Sequence, residues 1–524
     1  MVPLPAVKLK SFDPGASAIQ MLAFDDLLLA GVDPGSTNLE LWRSDGTAEG
    51  TQRIHLGVHA EEGRLSMAKV GARVLFTSGN SLWSTDGLDA GTTQVASLPF
   101  YGFRVESTGP YAFLVGDTPN KVLWRTDGTA LGTHEVPNQP SSIEGFAVVH
   151  GRGWFNAPYF AGEPELWLAD ATPGGQARFL KDIIPGPLGS IPNGFVPLGS
   201  LTFFRATERT IGGELWKSDG TPDGTVRVTE APGPAETVPV QLFPWKGHVY
   251  YWALGLGGTL YRSDGTMAGT HQVSAQVSSG EGGFLGWGDF LFVSAVDDTG
   301  DHELWRTDGT PEGTVRVADL NPGTASSAPA SLVLMSEDGP LVFVATTPDA
   351  GRELWRLDSP SGTPTLAADV AAGAASSSPA NLTIVGTDLY FTAHDGTSSG
   401  LFVLSGLIPG PEVDGGTDAG SECDAGAEPD AGSEMDAGTE PDAGTGVDAG
   451  SEADGGAEPD AGTGHDAGAE PDAGSTQDAG ATDGGTGEPP PGGGCGCQST
   501  PASVPWSLAL LGLIVTARRR SRAS

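Results

Sequence analysis

Short apolar runs recur through the first 410 residues, each bounded by Gly, Pro, Asp or Ser. One class reads Arg73-Val74-Leu75-Phe76-Thr77, Phe290-Leu291-Phe292-Val293 and Asp388-Leu389-Tyr390-Phe391-Thr392-Ala393. A second reads Glu-Leu-Trp-Arg. A third follows as Val226-Arg227-Val228 or Val315-Arg316-Val317, and a fourth lies in the variable stretch before the next copy, as in Ser331-Leu332-Val333-Leu334. The runs are rich in β-branched and aromatic residues and no helical period competes with them, so they predict strands. Adjacent Leu and Trp on one strand point to opposite faces. Both are apolar, which predicts sheets buried on both faces.

The second run opens a phrase repeated nine times between residues 28 and 404: Glu-Leu-Trp, then Ser/Thr-Asp-Gly-Thr, then Gly-Thr. Clear copies start at Glu40-Leu41-Trp42, Glu214-Leu215-Trp216 and Glu303-Leu304-Trp305. The Trp position holds Trp42, Trp83, Trp124, Trp167, Trp216, Tyr261, Trp305, Trp355 and Phe402, at spacings of 41 to 50 residues. A period of about 40–50 with strand patterning fits propeller blades.

Asp-Gly between two strands is turn chemistry. Gly takes positive φ, and Asp bonds its own backbone two residues on. Asp45-Gly46, Asp86-Gly87, Asp127-Gly128, Asp219-Gly220, Asp264-Gly265 and Asp308-Gly309 are therefore expected to cap hairpins. A calcium-loop reading ranks below this one, because calcium wants three or more oxygen ligands and each loop offers one carboxylate reliably. What recurs in every copy reads as architecture, since an enzyme needs its chemistry once.

The N-terminal stretch Val7-Lys8-Leu9-Lys10-Ser11-Phe12-Asp13-Pro14-Gly15 matches Val315-Arg316-Val317-Ala318-Asp319-Leu320-Asn321-Pro322-Gly323. It is a third strand without its first two. The ninth copy, ending at Leu401-Phe402-Val403-Leu404, has the first two without a third. Joining them closes a ring and removes open edges. The expected fold is all-β: a β-propeller of eight or nine blades over residues 1–410, closed by the N-terminal strand.

The phrase resembles the ELWxxDGT repeat family of bacterial, often myxobacterial, secreted proteins, over residues 7–405. Seven of nine copies keep Trp and six keep the closing Gly-Thr. Copies four and eight depart, with Ala169-Asp170-Ala171-Thr172 and Leu357-Asp358-Ser359-Pro360. The loop is also similar to the Asp-box hairpins of sialidase-like propellers, which are structural in that family. The resemblance implies no particular activity.

Charge divides the chain. Lys and Arg number 27 against 66 Asp and Glu, a net −39. Residues 411–490 hold 22 of the acids and no Lys or Arg, and the tail holds Arg518, Arg519, Arg520 and Arg522, which leaves −21 for residues 1–410. An acidic domain without a basic stripe argues against nucleic acid as a partner. Residues 411–490 repeat Asp-Ala-Gly, often after Glu-Pro, as in Glu428-Pro429-Asp430-Ala431-Gly432. So little apolar surface cannot offset ordering entropy, and the segment is expected to be a disordered, extended spacer rather than a cation sponge.

Residues 491–524 combine Cys495-Gly496-Cys497, a short apolar run from Val504 to Ala517, and Arg518-Arg519-Arg520. The run is short for a full membrane span of about 20 residues. The tail resembles the MYXO-CTERM sorting signals of myxobacterial surface proteins, in which a membrane protease processes the tail and the protein is displayed at the cell surface. A retained membrane anchor is the other reading. The start of the chain carries no signal peptide, so an export signal is expected upstream of Met1.

Candidate chemistry is sparse. The third cysteine, Cys423, also lies outside the repeats, and Cys-Gly-Cys alone cannot complete a zinc site. The nine histidines are scattered, with no His-Glu-x-x-His and no nucleophile elbow. His302 reads as a satisfied rim histidine, Asp297-Asp298 and Glu61-Glu62 as solvated loop charge, and Gly255-Leu256-Gly257-Gly258 as a weak phosphate loop at best. No catalytic residue, metal ligand or cofactor is nominated. The expected function is a surface-displayed propeller that binds or adheres to glycan or protein. The alternative is a secreted hydrolase or lyase with a site in the central channel.

Overall fold

The computed structural model describes residues 2–408 except 14, 35–37, 60–64, 102, 117–120, 159–162, 186–187, 209–211, 231–236 and 324. The spacer 411–490 and the tail 491–524, with Cys495, Cys497, Arg518, Arg519 and Arg520, lie outside the described residues. The described residues all fall in the first of two compact units, Met1–Gly420. Among the described residues that unit is all-β apart from a 3₁₀ turn at Leu254–Leu256, in antiparallel sheets of propeller type. Among the described residues, no helix is long and apolar enough to cross a membrane.

The fifth repeat unit shows the pattern. Its strands are Asn193–Leu198, Leu201–Glu208, Gly212–Ser218 and Val226–Arg227, hydrogen-bonded in that order. Phe204 faces Trp216 across one ladder and Trp216 faces Arg227 across the next. The same register stacks aromatic rings in other units: Phe76 on Trp83, Phe155 on Trp167, Tyr251 on Tyr261 and Phe391 on Phe402, with centroids 5.7–6.5 Å apart. Such cross-strand pairs hold a narrow sheet together.

The apolar cores lie between sheets rather than within them. Leu29 and Leu41 of the first unit pack with Val74 and Phe76 of the second. Equivalent cores join each later pair of neighbours. A last core places Tyr390, Leu401 and Val403 of the ninth unit against Leu28, Ala30 and Val32 of the first, with Leu9 of the N-terminal strand between them. The first strands of successive units also touch in order, from Ser17–Phe24 round to Ala380–Val385 and back. Leu41, Leu82, Leu123, Leu215, Leu304 and Leu354 are fully buried by this stacking. The Trp face differs from expectation. Trp216 and Trp305 are buried, but Trp42, Trp83, Trp124, Trp167 and Trp355 are only half-buried. The length of the outer strand does not account for this, since the buried Trp216 and Trp305 pair with two-residue strands and the half-buried Trp42 with an eight-residue one.

Val7–Ser11 pairs antiparallel with Ser399–Leu404, with Val7 opposite Val403 and Ser11 opposite Gly400, and so supplies the fourth strand of the ninth unit. Lys8 Nζ reaches Asp395 Oδ2 at 2.9 Å across the same seam. Leu4 and Ala6 pack in one core with Leu407 and Ile408, so the first and last described segments meet between the eighth and ninth units. Between the sixth and seventh units, the expected loop is missing. Strand His271–Trp287 runs unbroken from the outer edge of one sheet to the inner edge of the next, which merges them into seven strands.

Candidate functional site

The Asp-Gly-Thr turn is a closed hydrogen-bond network. Asp308 Oδ1 accepts from Thr310 N at 2.9 Å and Thr310 Oγ1 at 2.7 Å, and Thr310 Oγ1 accepts from Gly313 N at 3.0 Å. Thr314 Oγ1 bonds Thr310 O and Thr307 Oγ1, and Gly309 N donates to Thr307 Oγ1. Asp45, Asp127, Asp219 and Asp264 repeat the carboxylate contacts, and Asp86 keeps one of them through Leu88 N. Gly46, Gly87, Gly128, Gly220, Gly265 and Gly309 all sit near φ +90°, a conformation that glycine alone takes cheaply. The preceding unit packs against this glycine as well: a Cβ on Gly309 would lie 2.6 Å from Tyr250 Oη.

The closing glycine has a steric reason. A Cβ on Gly313 would lie 2.0 Å from Asp308 Oδ1, and the same holds at Gly50, Gly91, Gly132, Gly224 and Gly269. Gly313→Ala is expected to cost roughly 1–3 kcal/mol by this overpacking, read as a lower urea midpoint, while Glu312→Ala on the same exposed turn changes little.

The Thr hydrogen bonds, chiefly from the side chain, hold the carboxyl groups of Asp45, Asp127, Asp264 and Asp308 below the ordinary Asp range. Their contribution is complete above the unfolded value of about 3.9 and is lost as pH falls through the lower folded values. Changing these four residues to Asn should flatten the dependence of the urea midpoint on pH below about 4. A slope as steep as in the parent chain would contradict the assignment.

The Glu of the repeat is a second scaffold element. Glu353 is fully buried and accepts four hydrogen bonds from the crossover to the ninth unit: Val370 N at 3.1 Å, Ala371 N at 3.3 Å, Ser377 N at 2.8 Å and Ser377 Oγ at 2.6 Å. Glu165 holds Ile183 N and Ser190, and Glu303 holds Leu320 N and Ser327, in the same way. Burial pushes all three carboxyl groups upward. The basic residue after Trp clasps the next unit, as Lys217 Nζ does with Gly265 O at 2.7 Å and Arg43 with Gly87 O. None of these partnerships was legible in the sequence, because each partner lies 17 to 48 residues away.

Polar groups outside the repeated scaffold converge at one corner of the seventh unit. Its second and third strands, Phe290–Asp297 and His302–Thr307, are joined by a loop that Asp297 Oδ1 organises through Thr299 N, Thr299 Oγ1 and Asp301 N. Asp301 and Glu303 are both buried, and one carboxylate oxygen from each lies within 4.8 Å of the other and of Asp319. Arg316 donates to Asp301 Oδ2 at 2.8 Å and stands 3.7 Å from Asp319 Oδ2. On the opposite face, Ser294 Oγ lies 2.6 Å from His302 Nε2. The pair has nucleophile–base spacing, but Ser294 is 1% exposed and its hydroxyl also bonds Pro329 O of the crossover at 2.7 Å. Asn156 makes the matching bond to Pro192 O in the fourth unit, so Ser294 stitches neighbouring units. His302 is held there, in agreement with its reading as a satisfied histidine. The signal for the acidic corner was present as Asp301-x-Glu303 on one strand face, with Asp319 sixteen residues beyond Glu303.

No family model matches the chain, and no curated protein does. Among solved structures, it is similar to the computationally designed Ika8 protein, at 13% identity over 65% of this chain and 95% of that one, TM-score 0.39. It is similar to a puromycin hydrolase, at 17% identity over 63% of this chain and 58% of that one, TM-score 0.35. BamB from Moraxella catarrhalis matches at 12% identity over 76% and 100%, TM-score 0.35. Likenesses this distant carry no conclusion about what this chain does.

Proposed function

We propose that this chain is a nine-bladed β-propeller displayed at the cell surface, where it binds or adheres to glycan or protein ligands without catalysis. One observation supports this most. The repeated polar residues that the structure describes are committed to turns, crossovers and inter-unit clasps, while variation is concentrated in the loops between second and third strands and in the crossovers. By strand direction these two sets of loops lie at the same end of the sheets, which gives one variable face on a constant scaffold. Scaffold-borne variable loops are where binding residues concentrate.

The tail would deliver the propeller to the surface by sorting, with a membrane protease as processing partner. The acidic segment would act as a stalk, with a coil dimension of roughly 45–50 Å from its length. A glycan array and a surface-protein pull-down with the purified chain test the binding reading, and retention of nothing by either would sink it. For the sorting reading, Cys495→Ser with Cys497→Ser is expected to move the protein out of the surface fraction. Fractionation identical to the parent chain would overturn it.

A further inference from the structure

We propose that Asp301, Glu303 and Asp319 form a divalent-cation site of the calcium class at the loop end of the seventh unit. Among the described residues, this is the one group of three acidic, His or Cys side chains whose ligand atoms converge, all within 4.8 Å of one another. Oxygen-only donors at this spacing suit a hard cation.

A second observation points to a ligand. Asp301 is 2% exposed, and its Oδ1 is buried with no hydrogen-bond partner. Buried carboxylate oxygens are normally satisfied, and an orphan asks for an explanation. Arg316 serves only Oδ2, and three carboxylates against one guanidinium leave two negative charges, the charge a divalent cation balances. Arg316 is about one-third exposed on its side chain, at the solvent side of the cluster.

The site is also a departure from the repeat. The equivalents of Glu303 and Asp319 recur as Glu353 with Asp369, where they only anchor a crossover. Asp301 is the added ligand. Gly351 and Gly212 stand in its place in the eighth and fifth units, and Glu163 in the fourth brings no third carboxylate together with Glu165. The repeated Asp-Gly-Thr turns, by contrast, spend their carboxylates on their own loops. The proposal goes beyond the binding reading and does not depend on it.

Thermal melting of the full chain followed by tryptophan fluorescence tests it. Calcium held by the acidic segment 411–490 would not move this transition, since that segment has no tryptophan. Millimolar calcium chloride should raise the midpoint by a few degrees over magnesium chloride of equal ionic strength, and chelator should reverse it. Asp301→Asn should abolish the rise. Asp319→Asn, at a more exposed position that leaves the buried pair intact, should weaken it at least tenfold in calcium concentration. No rise in the parent chain, an equal rise with magnesium, or an unchanged rise in Asp319→Asn would each overturn the assignment.

Discussion

Glu353→Ala should be among the most damaging single substitutions in the chain, lowering stability by about 3–5 kcal/mol in urea titrations. The carboxylate is fully buried and is the acceptor for three backbone N–H groups and one hydroxyl of the crossover to the ninth unit. Removing it leaves those donors in a site closed to water, and each buried donor without a partner costs about 1–3 kcal/mol. The crossover cannot simply swing out to find water, because Ser377 O accepts from His394 N and Ser378 N donates to Arg352 O, which bind it to both neighbouring units. An exposed control, Glu312→Ala, should stay within about 0.5 kcal/mol of the parent. Equal effects of the two changes would remove Glu353 from the scaffold.

Deleting residues 1–14 should lower the melting temperature strongly or drive aggregation. The deletion takes Leu9 and Phe12 from the core between the ninth and first units, and Leu4 and Ala6 from the core between the eighth and ninth. Burial of three large apolar side chains is worth on the order of 5 kcal/mol. It also strips strand Ser399–Leu404 of its partner Val7–Ser11 and leaves an unpaired edge, a template for pairing between molecules. Light scattering during the melt separates aggregation from simple loss of stability. A peptide of residues 1–14 added in excess should recover part of the loss. An unchanged melting curve in the truncated chain would show that the seam between residues 399–404 and 7–11 does not hold the fold together.

Much of the architecture was legible because a repeat states its strands nine times over. Runs such as Arg73-Val74-Leu75-Phe76-Thr77 form strand Arg73–Ser78, and the strand at residues 7–12, read as an orphan, pairs where its missing partners lie. The sequence left the blade count at eight or nine because nine repeats exceed the usual range of about four to eight blades. The crossover after Thr270 carries no Pro-Gly loop and continues as one strand, His271–Trp287. The closing Gly of each turn read only as loop composition, because its neighbour is an Asp side chain folded back over it. The acidic corner was missed for a similar reason. Asp301 and Glu303 look like ordinary alternating strand residues until the crossover lays Asp319 beside them.

The meeting of the two ends of the repeat domain also sets how it would respond to mechanical load. A pull on the chain beyond Ile408 meets the buried Leu407 and then strand Ser399–Leu404. That strand is flanked on one side by Val7–Ser11 and on the other by Asp388–His394. Force along the strand axis loads both ladders in shear, so their hydrogen bonds must fail together rather than one after another. A strand peeled from a sheet edge would fail at much lower force. The outer strand of the ninth unit, borrowed from the start of the chain, thus gives the last strand of the domain two ladders to resist a pull rather than one.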